Sequence, residues 1–170
     1  MLVEAVFINP QTKQEERRKI IVEDNFFQTI EKEKFNEPLI EKNKLELMID
    51  NMEISAEMKA ILKKIATVTI NFGKVALNVG LRLLDIIVFL MKKFPNATVG
   101  AIVGFLISSL ITSIPLIGWV FGWLVPILTS AGFIIGAVKD ITGHTISKED
   151  IEDLFNSVFA PLKKAKLVNG

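Results

Sequence analysis

Charged positions divide this chain into regimes before any single motif does. They are dense from Glu4 to Glu57, thin out up to Lys93, vanish for the 45 residues from Phe94 to Val138, and return at Lys139. A helix rises about 1.5 Å per residue, and roughly 20 apolar residues cross the ~30 Å hydrocarbon layer of a bilayer, so the uncharged run has room for two spans. Ser113, Ile114 and Pro115 mark the turn, dividing the run into Ala97 to Ile114 and Leu116 to Val138. The alternative is the buried central hairpin of a soluble bundle, since an uninterrupted apolar pattern suits either dry environment.

The flanks read as helical. Gln11 to Asp24, after the Asn9-Pro10 break, predicts a short surface helix of mixed charge, and the apolar positions Leu39, Ile40, Leu45, Leu47, Met48, Ile49 and Met52 predict a second one starting at Pro38. Ser55 suits the N-cap of a much longer helix running to Phe94, because no proline interrupts that stretch. Along it Lys59, Lys63, Thr67, Asn71, Lys74, Asn78, Arg82 and Asp85 recur at intervals of 4, 4, 4, 3, 4, 4 and 3, one side of a helix. Arg82 and Asp85 form an i,i+3 ion pair. Such a stripe faces bulk water in an ordinary amphipathic helix, or an aqueous lumen in a membrane-inserted one. The second case makes Thr67, Asn71, Lys74, Asn78, Arg82 and Asp85 the candidate pore-lining residues.

Beyond the uncharged run, Thr142 to Thr145 predicts a loop, and Ser147 with Asp150 makes a capping sequence. Ile151, Leu154, Phe155, Val158, Phe159 and Leu162 then define an amphipathic final helix followed by a basic tail. The chain thus falls into a polar N-terminal helical region (1–54), the striped helix (55–94), the hydrophobic hairpin (95–139) and a C-terminal amphipathic part (140–170). The fold class predicted is all-α, amphipathic helices around a transmembrane hairpin.

Within the hairpin, small residues are paired at Gly100 and Gly104, Gly118 and Gly122, and Gly132 and Gly136. That spacing lets helix backbones approach closely and makes these glycines candidates for helix packing and self-association. Tyr is absent, so Trp119 and Trp123 are the candidate interfacial anchors. Lys92 and Lys93 precede the run and Lys139 follows it, an arrangement that places both ends in the cytoplasm. The first ten residues lack the basic region and cleavage site of a signal peptide.

Composition narrows the chemistry. Lys and Arg number 20 against 19 Asp and Glu, so no overall field draws in nucleic acid. There is no cysteine, and His144 is the single histidine, a loop residue more at home in solvent than as a pH sensor. Glu149, Asp150, Glu152 and Asp153 are too tightly spaced for a calcium loop and favour the helix N-terminus instead. No catalytic, cofactor-binding or metal-ligating residue is assigned, and the expectation is a non-enzymatic protein whose partners are a lipid bilayer, further copies of itself and, on the polar regions, another protein.

The arrangement of amphipathic helices around one uncharged hairpin, over residues 55 to 162, resembles the pore-forming domains of colicins and, more distantly, Bcl-2-like pore formers. The resemblance is architectural and rests on no shared motif. It implies a hairpin that is sheltered until it inserts, with Ala97 to Val138 entering the bilayer and Thr67 to Asp85 bordering the pore. A membrane-anchored scaffold, in which the hairpin only tethers the polar regions, is the alternative; a hairpin that wedges into one leaflet without crossing is a third.

Overall fold

A computed structural model describes residues 1–37, 40–95, 97–130 and 148–168. The chain opens with two strands, β1 (Leu2–Ile8) and β2 (Glu15–Ile21), paired antiparallel with Val3 opposite Ile20 and Phe7 opposite Glu16. The loop between them closes on Asn9, whose side-chain oxygen accepts from the amides of Gln11 (2.8 Å) and Thr12 (3.3 Å). The expected surface helix over 11–24 is therefore a strand. Its charges sit well there, because Arg17 reaches Glu4 across the pair and Glu15 along its own strand, both at 2.8 Å.

Three helices follow: α1 (Phe26–Lys32), α2 (Lys42–Asn51) and α3 (Ala56–Ala66). Ser55 caps α3 as the sequence predicts, accepting from the Met58 amide at 3.1 Å. Pro38 lies outside the described residues. The single helix expected from 55 to 94 does not form. It breaks into α3, the short strands β3 (Ile70–Phe72) and β4 (Val75–Leu77), and α4 (Val79–Lys93). From Thr67 to Phe72 burial alternates, with Val68, Ile70 and Phe72 inside, and β-branched residues favour the extended backbone. Gly73, at φ +62°, opens the two-residue loop that joins β3 to β4, a position where glycine alone is unstrained.

The five strands order as β4-β3-β1-β2-β5, every neighbour antiparallel, with β5 (Lys166–Leu167) closing the far edge. Both edges are blunted. β5 is two residues long, and on β4 the side chain of Asn36 donates to the Ala76 carbonyl while accepting from the Asn78 amide. Ala5, Phe7, Ile20, Ile70 and Leu77 are buried under the helices, whereas Leu2, Ile8 and Ile21 are exposed on the other side.

The uncharged run folds into α5 (Val99–Ser113), α6 (Pro115–Phe121) and α7 (Leu124–Ser130); residues 131–147 lie outside the description, Gly132, Gly136 and His144 among them. The turn at Ser113 to Pro115 is where the sequence places it, with Pro115 opening α6, where its missing N–H costs nothing. A second break falls at Gly122–Trp123, ahead of Pro126, whose ring would clash with the carbonyl four residues back in a continuous helix. These breaks correct the membrane topology. No helix among the described residues is long and apolar enough to cross a bilayer, so the two-span hairpin with both ends cytoplasmic is not what the chain builds. The fold is mixed α and β rather than all-α. The chain finishes with α8 (Lys148–Val158), a 3₁₀ turn (Ala160–Leu162) and β5.

Candidate functional site

At the middle of the helical layer lies α5. Its side chain at Thr98 caps the start, accepting from the Ala101 amide at 3.1 Å. The six consecutive residues Ile102 to Ile107 are all buried, which turns through every face of a helix, and none of its described side chains is exposed. A helix apolar around its whole circumference must be enclosed, and α5 is packed by α4, α6, α7 and α8.

Glycine permits the approach of α6. A Cβ at Gly118 would stand 3.1 Å from the Ile111 carbonyl oxygen and 3.2 Å from its Cα, so the bare backbone lets α6 fold back onto α5. The contact is made within one chain, and of the spaced pair Gly118 and Gly122 only Gly118 makes it. Gly122 faces its own helix, and Gly100 and Gly104 are buried along α5. The tryptophans are spent in the same interior. Trp119 meets Phe7 of β1 edge-to-face at 5.0 Å, and Trp123, 8% exposed, donates its indole N–H to the Val120 carbonyl at 2.7 Å.

The polar stripe is dispersed. Thr67 ends α3, Asn71 sits on β3, Lys74 is in the β3–β4 loop and Asn78 precedes α4, the first three of them exposed. Of the six candidate pore-lining residues only Arg82 and Asp85 share one helix, and they form the expected pair, 3.7 Å apart with side chains 15% and 4% exposed. Arg82 lies over the Phe35 ring at 5.7 Å, and Phe35 in turn meets Phe159 at 6.1 Å. The guanidinium Nε is buried with no hydrogen-bond partner in the described structure, so the stacking on Phe35 does part of the work of holding the cation. This small aromatic and ionic stack ties α4, the turn after α1 and the segment after α8 together. The sequence signalled the pair, because i,i+3 is local; it could not signal Phe35, 47 residues away from Arg82.

Two open grooves adjoin at Phe27. One, about 640 Å³, runs over Val6, Arg17, Asn71 and Phe72; the other, about 600 Å³, runs over Ile30, Phe35, Lys34, Lys74 and Val75. Both have apolar floors and rims carrying both signs of charge. In the first, the carboxylate of Glu15 and then that of Glu4 raise the Arg17 pKa above its ordinary value. Among the described residues no group of His, Asp or Glu is placed to hold a metal. No protein-family model, no curated protein and no solved structure matches the chain.

Proposed function

We propose that this chain is a non-enzymatic protein that perturbs and permeabilises a membrane by delivering α5, with α6 folded against it, into one leaflet. The observation that carries the reading is α5 itself, a 15-residue helix without an ionisable side chain and with none of its described side chains exposed. Such a helix is stable in a protein interior or among acyl chains and unstable only in water, so its transfer between the two dry environments is the cheapest move open to it. Its rise of about 22 Å falls short of the ~30 Å hydrocarbon layer, which favours a wedge over a span. The closed fold holds α5 away from any bilayer. The activity therefore needs an opening step, as the resemblance to sheltered-hairpin pore formers implies. Several copies acting together belong to the same reading.

The test is release of an entrapped dye from vesicles of phosphatidylcholine and phosphatidylglycerol by the purified protein. Release that rises more steeply than the first power of protein concentration is the expected result; intact vesicles with no bound protein overturn the reading. A second reading, a protein-binding module without membrane action, is favoured by the paired grooves at Phe27, since an aromatic between apolar floors with polar rims is how interface cores are built. A photo-crosslinking side chain at exposed Gln28 separates the two: a discrete protein adduct in the cells that make the chain supports the module, and adducts with lipid alone support the wedge.

A further inference from the structure

The segments around α5 differ in how firmly they are held. On one side, α4 is locked to α3: a Cβ at Gly80 would fall 1.8 Å from the Ile65 carbonyl oxygen, and the Gly80 amide donates to Val68 at 3.0 Å. On another, α6 follows α5 after a single residue and closes on it at Gly118. The remaining cover is different in kind. Residues 148–168 run as one strap in which α8 lies against α5 and the chain then passes α1 to end in β5.

The strap contributes the buried side chains Phe155, Phe159, Leu162 and Ala165, and β5 also lies against α6, but its polar ties to the body are slight. Lys164 meets Glu23 at 3.3 Å with both side chains more than half exposed, the kind of surface pair that holds little. β5 pairs with β2 at two positions, extended by the Val168 amide donating to the Lys19 carbonyl at 2.9 Å. Because β5 is the edge strand, its departure leaves β4-β3-β1-β2 intact as a four-stranded sheet. The new edge, β2, carries Arg17, Arg18 and Lys19, charges that discourage unwanted pairing. The Arg82–Asp85 pair and its stack on Phe35 also stay with the body.

We propose that residues 148–168 form a releasable strap, and that its detachment, with the rest of the fold in place, uncovers α5. This rests on the membrane reading for its purpose, though not for its mechanics. The absence of cysteine makes a clean lock available. Ile21 and Lys166 stand directly opposite each other across β2 and β5 and are both exposed, and Cα atoms in such an antiparallel pair lie within disulfide range, at about 5.5 Å. The variant carrying Ile21→Cys and Lys166→Cys is compared oxidised and reduced, with each single replacement as control.

Two readouts are taken. Amide exchange along α5 in the absence of lipid is expected to slow by about tenfold or more on oxidation, because the opening that exposes those amides is blocked. Dye release is expected to stop on oxidation and return on reduction. Unchanged exchange along α5 overturns the strap, and so does dye release that is measurable and equal in the two redox states. If exchange responds to the lock while neither state releases dye, the strap stands and the membrane reading fails. Phe159→Ala works in the opposite direction and is expected to speed exchange along α5, with exchange in β1 and β3 unaltered; acceleration spread equally over the sheet would also overturn the proposal.

Discussion

The two fifteen-residue helices α4 and α5 lie side by side and are held by different physics. α4 carries a buried ion pair, a glycine pressed against a carbonyl and an exposed Phe89, so its place and rotation are fixed by directional contacts. α5 has no charge, and none of its described side chains is exposed; its place is fixed chiefly by shape and dryness. A helix held by directional contacts fails when one of them is broken, while a helix held by dryness is retained only as long as its covers are. On the proposed membrane reading, this difference points to α5, and not the polar stripe, as the element whose environment is exchanged.

The strongest test of the contrast is at the helix junctions. Gly80→Leu is expected to destabilise the fold by more than about 3 kcal/mol, since the new side chain would be driven into the Ile65 backbone rather than into a side chain that can turn away. Urea unfolding followed by circular dichroism measures this. Next comes Asp85→Ala, which leaves the partly buried Arg82 without its carboxylate and is expected to cost about 3 kcal/mol. The double replacement Arg82→Met with Asp85→Leu is expected to recover most of that loss. If the double variant is as unstable as the single one, the ion pair is not the feature that anchors α4.

On α5 the corresponding probes are steric. Leu106→Ala removes a fully buried side chain and is expected to cost about 2 to 5 kcal/mol, depending on how far the covers collapse into the space. Gly118→Ala is milder. With Ile111 backbone atoms at 3.1 to 3.2 Å, α6 must shift by a few tenths of an ångström, and a loss of about 1 kcal/mol is expected. A loss as large as that at Gly80 would mean that the α5–α6 pair is as rigid as the α3–α4 junction, and would remove the distinction between them.

What the sequence made legible follows from the range of the interactions. The Ser55 cap, the Arg82–Asp85 pair, the turn at Pro115 and the burial of Phe155, Phe159 and Leu162 each depend on residues a few positions apart, and each is in the fold, although the last helix ends at Val158 and leaves Phe159 and Leu162 beyond it. The sheet was missed. In β1 the apolar residues Leu2, Val3, Ala5, Val6, Phe7 and Ile8 occupy both faces, so no alternation shows, and in β2 the charges of Glu15 to Lys19 conceal a strand whose partner is the chain's first segment. Without the sheet, the helices read from the sequence could not cover an uncharged hairpin, and a bilayer was the remaining dry environment. Trp119 against Phe7 is the contact that shows what was lacking: the cover comes from β1, more than a hundred residues away.

The smallest expected effect carries the comparison back to the stripe. Lys74 and Arg82 are two turns apart on one face of a hypothetical continuous helix, yet Lys74 sits exposed in the β3–β4 loop while Arg82 is packed between Phe35 and Asp85. Lys74→Leu is therefore expected to change stability by no more than about 0.5 kcal/mol and to leave dye release as it is, because the side chain meets neither α5 nor the strap's anchors. Arg82→Leu, by contrast, removes the guanidinium paired with the buried Asp85 carboxylate and lowers the unfolding midpoint clearly. Were Lys74→Leu alone to abolish release without altering stability, the residue would have to line a conducting path that the folded chain does not form, and α5 would lose its place as the membrane-active element.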